Sequence, residues 1–237
     1  MVGCVHGGGD ARAPSVRTRA YGVTVLTALA VLLGAAGAPG GVRLDNWDSY
    51  PAGRLELTGT WRAYPSADQK FKKAPAIVRD GERAALLLRT DDEPMRIGRV
   101  VKIDPRETPW LTWEWKAVKL PEGGDVRDTR RNDQAGRVMV MFDGMRGLLY
   151  VWDTMAPIGA ESISDGFELF RRALIVVRSG AQSIGRWERQ RRNVYADYRR
   201  IFDAEPRTIK WVGLESHSND THTSTEVLFG AVRFDAR

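Results

Sequence analysis

An all-β fold is predicted: an antiparallel, jelly-roll-like β-sandwich with one short helix near residues 194–202. Three observations carry the prediction. Short apolar runs recur along the chain and are broken by Gly, Pro, Asp and Asn clusters, the strand-and-turn rhythm of a sandwich or barrel. Within the runs, side chains alternate in character at the two-residue period of a strand. Helical periodicity appears in one place only. At 43% hydrophobic residues the chain supports a sizeable core, and an extended polar chain is excluded.

The first element is not part of the sandwich. Arg12, Arg17 and Arg19 precede an apolar run from Tyr21 to Ala38 that closes on small residues. A basic region, an apolar region and a small-residue cleavage zone form the secretory pattern. Residues 1–38 are therefore read as a signal peptide, and 39–237 as a single β-sandwich domain, periplasmic or extracellular. Removing 1–38 takes Cys4, the sole cysteine, and leaves +4 of the formal +6 charge, since Arg12, Arg17, Arg19 and Asp10 go with it.

Strands are expected at Leu55–Thr60, Ala84–Thr90, Ile97–Ile103, Leu111–Val118, Arg137–Asp143, Leu148–Trp152, Leu174–Arg178, Ile209–His217 and Glu226–Phe234. Val194, Tyr198, Ile201 and Phe202 fall at helical spacing, with Asn193 as N-cap and Pro206 enforcing the stop. The dense basic run Arg186–Arg200 reads as a solvated helix face rather than a nucleic-acid surface. The longest polar connection, Pro121–Gln134, reads either as a functional loop or as a mobile crossover.

Alternation sorts residues by side. Val138, Val140 and Phe142 oppose Arg137, Met139 and Met141; Leu149 and Val151 oppose Leu148, Tyr150 and Trp152. Ala173, Ile175 and Val177 oppose Leu174, Val176 and Arg178; Val212 and Leu214 oppose Trp211, Glu215 and His217. One side is aliphatic and suits the inter-sheet core, with Trp113 and Trp115 turned inward. The other collects Arg137, Tyr150, Trp152, Arg178 and Glu215 as candidate ligand contacts, with Pro121–Gln134 as rim. Rings offer a stacking platform and charged groups bond hydroxyls or acidic groups, which is what a sugar needs. From alternation alone, an ordinary solvated sheet face is the plainer reading.

No G-x-S-x-G elbow, phosphate loop or dinucleotide glycine fingerprint is present, and cofactors are not expected. Glu114 and Glu215 are the candidate pair should the chain be a polysaccharide-acting hydrolase, which needs two carboxyls about 5–9 Å apart. His217, Asp220 and His222 are candidate metal ligands, though their spacing matches no established pattern and the same segment makes an ordinary turn.

A family resemblance lies in longer motifs. Leu111-Thr-Trp113-Glu-Trp115 followed by Leu120-Pro121-Glu122-Gly123, Tyr150-Val151-Trp152, Val177-Arg178-Ser179-Gly180 and Gly185-Arg186-Trp187 through Phe202 resemble the bacterial family DUF3047. The resemblance runs from about Leu44 to Phe234. It implies an exported jelly-roll, galactose-binding-like or lectin-like sandwich and brings no activity. His217 and Asn219 stand where acidic residues belong to the family pattern, which argues against a calcium site. The expectation is a non-catalytic module binding a glycan or envelope component, with a hydrolase on the same fold or a protein-binding envelope scaffold as alternatives.

Overall fold

The computed structural model describes residues 41–65, 69–165 and 170–237, together with Gly3 and Gly7. The signal-peptide reading of residues 1–38 thus falls outside the described residues, those two glycines apart. Among the described residues, fourteen strands and one α-helix follow in chain order: β1 (Val42–Arg43), β2 (Gly53–Arg54), β3 (Arg62–Ala63), β4 (Ala76–Asp80), β5 (Arg83–Asp91), β6 (Pro94–Ile103), β7 (Trp110–Lys119), β8 (Gly136–Phe142), β9 (Arg146–Asp153), β10 (Glu161–Asp165), β11 (Arg171–Ser179), β12 (Glu188–Asn193), α1 (Val194–Phe202), β13 (Ile209–His217) and β14 (Ser224–Asp235).

They form two sheets. Sheet I runs β12-β7-β14-β5-β4-β2, with β1 also on β14; sheet II runs β10-β11-β9-β8-β13-β6-β3. The fold is the expected β-sandwich. All pairs are antiparallel except β9 and β11, which run parallel because β10 lies between them in sequence and takes the outer edge beside β11. Among the described residues, no helix is long and apolar enough to cross a membrane.

The core shows why the strand faces were hard to sort. Tyr150 and Trp152 are fully buried between the sheets. Tyr150 stacks on Trp113 with centroids 5.3 Å apart, and Trp152 meets Trp115 at 5.7 Å. In the β8–β9 register Leu148, Tyr150 and Trp152 face Val140, Val138 and Gly136, so these rings share the inner side with the valines. Gly136 leaves the space that Trp115, Val227 and Phe229 fill. The exposed aromatic platform expected from Tyr150 and Trp152 is therefore not formed. The confusion has a physical origin: the opposite side of the same strands is also apolar. Met139, Met141, Leu149, Val151, Leu174 and Val176 pack beneath Val126 and Ala156, which come from the connections around 121–134 and 154–160. Strands buried on both faces lose the apolar–polar alternation that reports orientation.

Other expectations are corrected as well. Leu55–Thr60 is not a strand: Leu55 is buried, but residues 57–60 turn. The Arg186–Arg200 run is split between edge strand β12 and helix α1. α1 starts as expected, with the Asn193 side chain accepting from the Ala196 amide at 2.9 Å, but it ends at left-handed Asp203, ahead of Pro206. Its buried Asp197 takes the Tyr150 hydroxyl at 2.9 Å and the Arg192 guanidinium, fastening the helix to the core. The Pro121–Gln134 connection is an anchored cover rather than a loose crossover. The Asp153 carboxylate accepts from the Val126 amide at 3.0 Å and the Gln134 side chain at 3.3 Å, and Met155 N donates to Gly124 O.

Candidate functional site

The outer side of sheet II carries the chemistry. Tyr64, Arg96, Glu215 and Arg137 come from adjacent chain segments and stand in one row across the sheet: Tyr64 N bonds Arg96 O, Arg96 pairs with Glu215, and Glu215 with Arg137. Glu215 is fully buried. Its Oε2 lies 3.6 Å from Arg96 Nε, 3.8 Å from Arg137 Nη1 and 3.2 Å from His217 Nε2, and none of the three meets the geometry of a hydrogen bond. Arg137 is 3% exposed; its Nη2 donates to the Asn132 carbonyl, while its Nε has no hydrogen-bond partner among the described residues.

These charges set one another. Burial pulls the Arg137 guanidinium down to about 10, against the support of Glu215, so it stays cationic at neutral pH. For Glu215, burial favours the neutral acid, but His217, Arg96 and Arg137 outweigh it and hold the carboxyl at about 2. His217 is pushed well below the usual histidine range by burial and by Arg137 and Arg96, and is neutral at pH 7.

A cleft of about 190 Å³ opens beside this cluster, lined by Arg96, Arg137 and Arg172 on the donor side and by Asn132, Asn219 and Asp220 opposite, with the almost wholly buried Leu149 and Leu174 behind them. His217 lies at its base. The far wall is held by Asp133, a buried carboxylate whose Oδ2 accepts from the amides of Asp220 (2.9 Å) and Thr221 (2.7 Å) and from the Thr221 hydroxyl (2.8 Å). Burial and Asp133 raise the pKa of Asp220. Three guanidiniums thus stand against Glu215, Asp133 and Asp220. The cluster is balanced in charge and rich in unmatched donors and acceptors.

The structure brings Arg137, Glu215, His217 and Asp220 together and scatters the rest of the expected set. Tyr150 and Trp152 are core residues. Arg178 is diverted by a β-bulge at Val176/Arg178, which places it opposite Trp152 at the strand end, where it bonds Ser183 and pairs with Glu188 at 3.2 Å. Glu114 points outward from sheet I and pairs with Arg83 at 2.9 Å. Glu215 points outward from sheet II, so the sandwich lies between the two carboxyls, and sheets alone stand about 10 Å apart. They cannot flank one glycosidic bond. His222 is on the surface, 2.8 Å from Asp92, away from buried His217; among the described residues no group of three or more His, Cys, Asp or Glu is placed to hold a metal ion.

Sequence reasoning missed Arg96, Arg172, Asn219, Tyr64 and the use of Trp211, and reached Asn132 only as part of the Pro121–Gln134 rim. A signal existed for Trp211, which shares strand parity with Glu215 and His217. Its indole lies over Gly98 and Gly213: a Cβ on Gly98 would stand 2.4 Å from the ring and one on Gly213 3.3 Å from its Nε1. Tyr64 packs on it with centroids 5.6 Å apart.

The fold and the site define an all-β sandwich with a polar cleft on the outer side of sheet II, walled by arginines and side-chain amides. The chain belongs to the family described as protein of unknown function DUF3047, matched over residues 60–233. Comparison with curated protein sequences finds no match. Similar solved structures include the xyloglucanase domain of NopAA, a type three effector from Sinorhizobium fredii (7% identity, 71% of this chain and 92% of that one, TM-score 0.44). They also include a family 11 carbohydrate-binding module from Clostridium thermocellum (12% identity, 83% and 95%, TM-score 0.42) and the endoglucanase cel12A from Rhodothermus marinus (9% identity, 78% and 96%, TM-score 0.45).

Proposed function

We propose that this chain is an exported, non-catalytic glycan-binding module and that the cleft on sheet II receives one sugar unit. The observation that carries the reading is a small cleft lined by arginines and side-chain amides, several of whose polar atoms have no hydrogen-bond partner among the described residues. Arg137, Arg172, Asn219 and Asp220 supply donors and acceptors for the hydroxyls of a pyranose. Buried polar atoms without partners are costly, and a ligand that satisfies them gains from each bond it restores. The cleft is smaller than the roughly 300–1,000 Å³ of a drug-sized pocket, which fits a single polar unit. Charge balance among the three arginines and three carboxylates favours a neutral sugar over a strongly anionic one. Export rests on the basic and apolar pattern of residues 1–38.

A glycan array tests the reading. Wild-type protein is expected to retain a defined subset of glycans, and Arg172→Met and Asn219→Ala to lose it with a melting temperature within about 2 °C of wild type, because both side chains are only partly buried. Undiminished retention by both variants would show that the cleft is not the binding site.

A further inference from the structure

Beyond the cleft, and resting on the glycan reading of it, we infer that Tyr64 and Trp211 form a second sugar subsite that receives the unit next to the one in the cleft. Three observations converge. The first is ring orientation. Gly98 on β6 and Gly213 on β13 pair directly; the Trp211 indole occupies the space where a Cβ on Gly98 would stand and lies 3.3 Å from where one on Gly213 would. A ring so placed lies along the sheet instead of standing on edge, with the Tyr64 ring beside it at 5.6 Å. The second is partial exposure on the outer side of sheet II: Trp211 and Tyr64 are both half-buried there, while Trp47, Trp61, Trp113, Trp115 and Trp152 are in the core and the likewise half-buried Trp110 and Trp187 belong to sheet I and its β12 edge. The third is continuity. Tyr64 is the neighbour of Arg96 in the row that ends at the cleft, and Gly213 is two residues from Glu215, about 7 Å along the strand.

An aromatic face beside a polar cleft divides the work of recognition. The cleft fixes hydroxyls on one unit by hydrogen bonds, and the rings hold the apolar face of the next by stacking. The glycines are then functional: Ala at position 98 would drive the indole off the sheet.

Isothermal titration with monosaccharides (glucose, galactose, mannose, N-acetylglucosamine) and 1,4-linked disaccharides built from them tests the inference. For a sugar that binds, the disaccharide is expected to bind about 3–10-fold more tightly than the monosaccharide in the wild type, the size of an aromatic contact. Tyr64→Ala and Trp211→Leu are expected to remove that advantage while leaving monosaccharide affinity unchanged; circular dichroism confirms the fold, and two variants guard against one failing to fold. Monosaccharide binding with no disaccharide gain, or a gain that survives in both variants, overturns the subsite alone and leaves the cleft reading intact. Absence of binding by either class of sugar in the wild type overturns both.

Discussion

Glu215→Gln removes one charge and almost no volume, and so isolates what holds the cleft together. Its carboxylate oxygen is shared by Arg96 at 3.6 Å and Arg137 at 3.8 Å, with Arg137 almost wholly buried. At an effective dielectric of about 20, each contact is worth about 4–5 kcal/mol of gross attraction. Desolvating the carboxylate costs several kcal/mol and cancels part of that gain. With Gln at 215, Arg137 keeps its hydrogen bond to Asn132 and the more distant Asp133 but loses its one carboxylate within 4 Å, and breaking one side of a buried pair costs about 3–5 kcal/mol. For about 200 residues that is a fall in melting temperature of roughly 10 °C. The control is Glu114→Gln, whose pair with Arg83 is exposed and worth less than about 1 kcal/mol. Urea unfolding of the wild type and both variants, with common slopes, reads the difference directly. A Glu215→Gln loss under about 1 kcal/mol, no larger than that of Glu114→Gln, would refute the electrostatic account of the cluster.

Acid is expected to weaken the fold in two stages. Unfolding exposes His217 to protonation below its ordinary value of 6.5, while the folded chain keeps it neutral, so stability begins to fall as pH drops below about 6.5. Glu215 then takes over: its contribution is complete above 4.5 and is lost toward pH 2. Urea midpoints at pH 7.5, 5.5 and 4 check this, and a flat profile would contradict it. Trp152→Ala should cost about 3–5 kcal/mol by opening a core cavity against Trp115, measured by thermal unfolding. Tyr150→Phe should cost about 1–3 kcal/mol, because Asp197 loses a buried donor. Asp133→Ala should speed amide exchange at Asp220 and Thr221, whose donors it leaves unpaired, by at least about tenfold if those bonds hold the turn closed.

Much of the architecture was legible. β13 was expected at its observed bounds, and β5, β7 and β14 within two residues of theirs at each end, because each is an apolar-rich run bounded by Pro, Gly, Asp or Asn. The Asn193 cap was equally plain. β12 was invisible: Glu-Arg-Gln-Arg-Arg-Asn holds no apolar residue, and an edge strand needs none, since its charges also guard the edge. The short strands β1, β2 and β3 likewise lack a period long enough to read.

The candidate site was half legible for a different reason. Arg137, Glu215 and His217 were grouped correctly because β8 and β13 keep their polar residues on the outer side at that level. Tyr150 and Trp152 were misassigned because β9 is apolar on both faces, and only pairing with β8 decides which side is inner. Arg178 was misplaced by one bulged residue, which alternation counted from sequence cannot see. Arg96 and Arg172 join the cleft through strand neighbours more than 40 residues from Arg137 or 30 from it on the other side, a proximity that register alone creates.

The measurement closest to the central proposal is an NMR titration of isotopically labelled protein with a glycan retained on the array. Shifts are expected to gather on the side-chain amides of Asn132 and Asn219, the guanidinium of Arg172 and the ring of His217. Shifts centred on sheet I, around Glu114, Trp187 or Arg189, with the cleft signals unmoved, would contradict it.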